Sequence, residues 1–191
     1  MAKLPLNPTY NSPVILTFAL MACLVMILDG LSGHRLIPAW FVTYSGFHFT
    51  SPAFYIELFS HTLGHKNWTH LTSNFAVILL VGPILEEKYG SGNLIKMMLI
   101  TALVTGLLNS ALFSTGLLGA SGLAFMMILL ASFTNSKEGE LPLTFILVLV
   151  LFMGKEVVQA FSSDDVSQFA HIIGGICGSL FGFLRGPKHS R

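Results

Sequence analysis

Six long, mainly apolar runs dominate this sequence, at about residues 14–31, 68–85, 94–113, 117–133, 141–161 and 166–184. A helix needs roughly 20 such residues to cross a bilayer, and only helices and closed barrels satisfy their backbone hydrogen bonds inside hydrocarbon. The fold class that follows is an all-α polytopic membrane protein with six transmembrane helices. No internal repeat or low-complexity linker interrupts residues 1–191, which read as a single domain. The fourth run is short and rich in small residues, so it has to be buried among its neighbours. The first run has no convincing small-residue cleavage site after it and leads into further spans, so it reads as a retained anchor rather than a secretory signal.

Composition agrees. Only 10% of residues are charged against 53% hydrophobic, with a mean hydropathy of +0.73. Soluble domains carry about 25% charged side chains, so this surface faces lipid. A net charge of +1 with no block of like charges excludes a nucleic-acid partner. Cys23 and Cys177 sit inside apolar runs and read as packing residues rather than a disulfide or metal framework.

An even number of spans puts both termini on one side, and basic residues favour the cytoplasm. With the termini inside, Lys3, Lys88, Lys96, Lys137, Arg185, Lys188 and Arg191 are cytoplasmic, against Arg35, Lys66 and Lys155 outside. The orientation read from this bias is N-in, C-in. The outer interval between the first two spans, about 32–67, holds Trp40, Phe41, Tyr44, Phe47, Phe49, Phe54 and Tyr55. Rings at this density belong at the membrane boundary, so the segment is expected to lie partly embedded, either as an ordinary aromatic anchor or with a role toward substrate.

Polar groups at membrane depth are costly and mark function. Four stand out: His70, Asn74, Ser121 and His171. Spans two, four and six cross in the same direction, and all four residues lie near their starts, within roughly the outer 10 Å at 1.5 Å per residue. Gly174, Gly178 and Gly182 follow His171 on one helical face and allow close approach of another backbone. The expected neighbour is the start of span four, Gly119-Ala120-Ser121-Gly122. The stripe also fits plain glycine-mediated packing.

A serine hydroxyl becomes a nucleophile when an imidazole takes its proton, which assigns Ser121 as nucleophile and His171 as general base. Asp164 and Asp165 fall in the loop before span six, and no other Asp or Glu is placed deep in the spans. The expectation is therefore a dyad without the carboxylate of a triad, its imidazole held by packing against Phe125. Acyl transfer also needs donors for the oxyanion. His70 and Asn74, four residues apart on one face, and the Ser121 N–H suit that role, although His and Asn also act as interhelical glue.

The ordered set resembles the rhomboid intramembrane serine proteases. It comprises His61-x3-His65-x4-His70-x3-Asn74, Leu85-Glu86-Glu87-Lys88-Tyr89-Gly90, Gly119-x-Ser121-Gly122 and Ala170-His171-x2-Gly174-x3-Gly178. The resemblance implies a rhomboid-like bundle of the compact six-span bacterial type with an embedded first outer loop. It implies residence in the inner cell membrane, both termini cytoplasmic, and cleavage of transmembrane protein substrates near the outer face. Ser121 and His171 match the catalytic pair, His70 and Asn74 with the Ser121 amide the oxyanion donors, and Gly119 the glycine before the nucleophile. The first outer loop and the cap loop around 161–169 would govern substrate and water entry. Two departures are visible: Ile56-Glu57 stands where the family often has Trp-Arg, and Phe125 where Tyr is common. No metal or other cofactor is expected.

Two rival classes share these residues. His61 and His65, at i and i+4, with His70 nearby, have the spacing of a zinc hydrolase but lack a neighbouring acid of the H-E-x-x-H kind. A non-catalytic rhomboid-like client-binding protein would share the fold, but such relatives usually lack the serine or the histidine. A transporter reading lacks the deep charged pathway.

Overall fold

The computed structural model describes residues 8–136, 140–160 and 166–184. Part of the expected cap loop (161–165, with Asp164 and Asp165) and Lys3, Lys137, Arg185, Lys188 and Arg191 lie outside the described residues. So does the side chain of Lys155.

The described chain is helical: α1 (Pro13–Leu31), α2 (Leu36–Trp40), α3 (Pro52–Ser60), α4 (Trp68–Tyr89), α5 (Ser91–Leu112), α6 (Ser121–Ala131), α7 (Leu143–Val148), a π-helical turn (Leu149–Met153), α8 (Gly154–Ala160) and α9 (Val166–Leu184). Among the described residues, α1, α4 and α5 are long and apolar enough to cross a membrane. The sixth expected run, 166–184, coincides with α9, while the fourth and fifth differ. Helix α6 has 11 residues, reaching about 16 Å. Run five is three consecutive pieces joined through the π turn.

The shortness of α6 follows from its position. Gly122, Leu123, Ala124, Met126, Met127, Leu129 and Leu130 are all buried, and the helix packs against α4, α5 and α9. A helix covered by neighbours does not have to match the bilayer. Helix α9 lies against it at glycine: a Cβ on Gly174 would meet the carbonyl of Gly122, one on Gly178 the carbonyl of Met126, and one on Gly182 the ring of Phe133. Contacts advance in the same direction along both helices, so α6 and α9 run parallel, their starts at one end of the bundle.

Glu86 ties the opposite end together. Its carboxylate accepts the N–H groups of Val14 (3.0 Å) and Ile15 (3.2 Å) at the start of α1 and the hydroxyl of Ser91 (2.7 Å) at the start of α5. An acid at a helix start satisfies donors that have no intrahelical partner. Cys23 and Cys177 are free and pack in the apolar core.

The segment after α1 is pinned rather than loose. Asp29 accepts the Ile37 N–H (2.8 Å), holding α2. Thr43 and Leu117 exchange backbone hydrogen bonds, Asn109 donates to the Thr43 carbonyl (2.9 Å), and the Ser60 hydroxyl donates to the Trp40 carbonyl. Phe54 is buried beneath Phe47, Phe49 and Tyr55, which remain exposed.

Candidate active site

Helix α6 begins at Ser121, directly after a tight turn. Gly119 has φ +119°, a backbone conformation that favours glycine. A Cβ there would also come within 2.7 Å of His70 Cε1 and 2.9 Å of His70 Nε2, with Asn74 Nδ2 at 3.6 Å. The turn therefore lies directly over the two polar side chains of α4. On its other side, a Cβ at Gly122 would stand 3.2 Å from the Ala170 carbonyl, next to His171.

The turn is braced by the two histidines that precede α4. The Gly119 N–H donates to the His61 carbonyl (2.9 Å), and the Ala120 N–H donates to His65 Nε2 (3.3 Å). His61 Nδ1 bonds the Glu57 carbonyl (3.0 Å) and its Nε2 faces the Thr105 hydroxyl (3.4 Å), while His65 Nδ1 bonds the Leu63 carbonyl (3.2 Å). Burial holds both imidazoles at about 4, well below the usual histidine value. All four of their ring nitrogens are engaged within the protein, and His65 Nε2 spends its lone pair on a backbone donor. Their geometry is that of struts, which weighs against the zinc reading. Among the described residues, no three His, Cys, Asp or Glu side chains are grouped as a metal site.

On α4, Asn67 caps the helix by accepting the His70 N–H (2.8 Å). This sets His70 in the first turn and Asn74 one turn further along the same face. Asn74 is 8% exposed, and its Nδ2 is a buried donor with no hydrogen-bond partner among the described residues. Such a donor normally costs stability, so an unpaired one marks a function or a partner yet to arrive. The first N–H groups of α6, Ser121 included, likewise have no intrahelical acceptor and carry the positive end of the helix dipole.

His171 is half-buried on α9. Its ring stacks on Phe125, one helical turn beyond Ser121, with centroids 4.2 Å apart and planes at 7°. Among the described residues the Ser121 hydroxyl makes no hydrogen bond, to His171 or to any other group. The site thus brings the α4, α6 and α9 residues together without a direct serine–histidine hydrogen bond.

One sequence expectation is corrected here. No carboxylate was expected near His171, but Glu156 on α8 puts Oε2 2.8 Å from His171 Nδ1. The fifth run, 141–161, contains Glu156 five residues before its outer end. Glu156 thus stands at a depth similar to that of His171, on a run that crosses in the opposite direction. The remaining expected features are placed as follows. Phe169 of the cap segment packs on Phe113 (4.7 Å between centroids). Ile56 is exposed and Glu57 half-buried on α3, the latter's carboxyl pushed up by burial.

Fold and site together define an all-helical membrane protein with a serine-bearing turn wedged between a His/Asn helix and a histidine helix. The rhomboid domain family model matches residues 52–188. The chain belongs to the rhomboid family. It is 23% identical over 128 residues to the rhomboid protease GlpG of Haemophilus influenzae, covering 65% of this chain and 67% of that protein. It is 25% identical over 177 residues to the rhomboid protease GlpG of Pectobacterium atrosepticum (90% and 62%). It is 29% identical over 136 residues to rhomboid-related protein 1 of Caenorhabditis elegans (65% and 38%). The matches span between 38% and 67% of these relatives' lengths.

Proposed function

We propose that this protein is an intramembrane serine endopeptidase that cleaves transmembrane segments of other membrane proteins near the outer face of the inner membrane. Its residues 1–191 form one six-span domain with both termini cytoplasmic and the aromatic segment after α1 partly embedded. Ser121 is the nucleophile, His171 the general base, and Asn74, His70 and the Ser121 N–H receive the oxyanion.

The observation that carries this reading is the position of the Gly119–Gly122 turn. It packs on His70 and Asn74 from one side and on Ala170 and Gly174 from the other, so Ser121 is bracketed by the groups acyl transfer needs. The names of the two bacterial relatives, both rhomboid proteases, support the same activity.

In the proposed cycle, Ser121 Oγ attacks the scissile carbonyl while its proton passes to His171 Nε2. The new oxyanion takes up the idle Asn74 donor, and the proton is then delivered to the leaving amine. Water repeats the sequence to release the acyl group. Proton transfer needs the serine and histidine within about 3 Å in the substrate complex.

Labelling of the purified full chain with a fluorophosphonate tests the reading without a known substrate. Wild type should be labelled, and Ser121→Ala and His171→Ala should not, while all three remain folded. Cleavage of a reporter membrane segment should be lost in the same two variants. Cleavage that survives Ser121→Ala would remove the assignment.

A further inference from the structure

The carboxylate of Glu156 meets the face of His171 that the proposed proton transfer does not use. Its distance to Nδ1 is 2.8 Å, and the side chains are 9% and 19% exposed. An ionised carboxylate only accepts hydrogen bonds, so Nδ1 must carry the ring hydrogen, leaving the lone pair on Nε2. A general base needs that tautomer. Phe125 stacked on the ring fixes its plane; the carboxylate fixes its rotation within that plane.

The backbone before Glu156 is shaped for this contact. Leu149–Met153 forms a π turn between α7 and α8. A wide turn advances the helix phase by about one residue, roughly 100°, and such turns are frequent at functional sites. Its last residue, Met153, packs on Gly175 of α9, which anchors the turn against the histidine helix. Glu156 follows three residues later, buried and facing His171.

We propose that Glu156 is a positioning residue that completes a Ser121–His171–Glu156 triad. This rests on the reading of Ser121 and His171 as nucleophile and base. As Ser121 Oγ bonds to the carbonyl carbon, its proton moves to Nε2, and the imidazolium so formed is held by the Glu156 carboxylate, which stays ionised. The proton leaves from Nε2 to the departing amine, and no proton passes to Glu156.

The test uses the full-length chain with ring-15N histidine, the His171 signals being assigned by their loss in His171→Ala. Wild-type His171 should show a protonated Nδ1 and an unprotonated Nε2; the opposite tautomer or an averaged mixture overturns the proposal without any change at Glu156. In Glu156→Gln, fluorophosphonate acylation should slow on the order of 100-fold or more, with reporter kcat falling and KM within about twofold. The fixed tautomer should be lost while the folded spectrum is kept. Acylation of Glu156→Gln at the wild-type rate overturns the proposal. Failure of the probe to label wild type removes the nucleophile assignment itself, and the role given to Glu156 with it, whatever tautomer is seen.

Discussion

The imidazole of His171 lies flat on the ring of Phe125, 4.2 Å between centroids and 7° between planes, although the two residues sit on different helices. Phe125 follows Ser121 by one turn on α6, so the stack relates the histidine to the serine's own helix. Ring stacking of this kind is worth about 0.5–1.5 kcal/mol, so Phe125→Leu should cut kcat up to about tenfold while leaving KM nearly unchanged. Reporter cleavage kinetics check this; a fall in affinity with unchanged turnover would point to a substrate-binding role instead.

Asn74 holds a buried donor with no partner among the described residues. A donor reserved for the transition state adds little to ground-state binding. Asn74→Ala should therefore lower kcat by about 100-fold or more with little change in KM. Because it deletes an unpaired polar group, the variant should be as heat-stable as wild type, which thermal unfolding in detergent would measure.

Glu86 binds the start of α1 to α4 and α5 through three hydrogen bonds and is 5% exposed. Glu86→Ala strands two backbone donors and should cost on the order of 3 kcal/mol. The expected result is a lower melting temperature with an unchanged acylation rate per folded molecule, since the residue lies at the end of the bundle away from Ser121.

His61 and His65 brace the Gly119 turn as neutral rings, and burial holds them at about 4 against an ordinary 6.5. Between those values the unfolded chain binds more protons than the folded one. Their contribution is thus fully present above about pH 6.5 and is lost as the pH falls toward about 4. Melting temperature should decline over that window, and the slope should flatten in the double variant His61→Gln/His65→Gln. An unchanged slope would show that other groups govern acid stability.

Much of the helical frame was legible because membrane helices are written in apolar runs: expected boundaries 14–31, 68–85, 94–113 and 166–184 correspond to α1, α4, α5 and α9, the largest displacement being the four residues by which α4 runs on to Tyr89. Glycine spacing pointed to the α6–α9 contact for a local reason, since residues four apart share a helical face. Less was legible where neighbours decide. Residues 117–133 looked like a span, but packing against α4, α5 and α9 lets α6 stop at 11 residues. The struts formed by His61 and His65 had no signal in spacing, which suited a metal equally well.

Apolar length and polar groups at depth are properties of single segments, so residue order alone marks a helical membrane protein and singles out His70, Asn74, Ser121 and His171. The pairing of Glu156 with His171 emerges from helix packing alone. That contact joins two helices through a π turn, and the phase of a helix across such a turn is set by packing rather than by residue count.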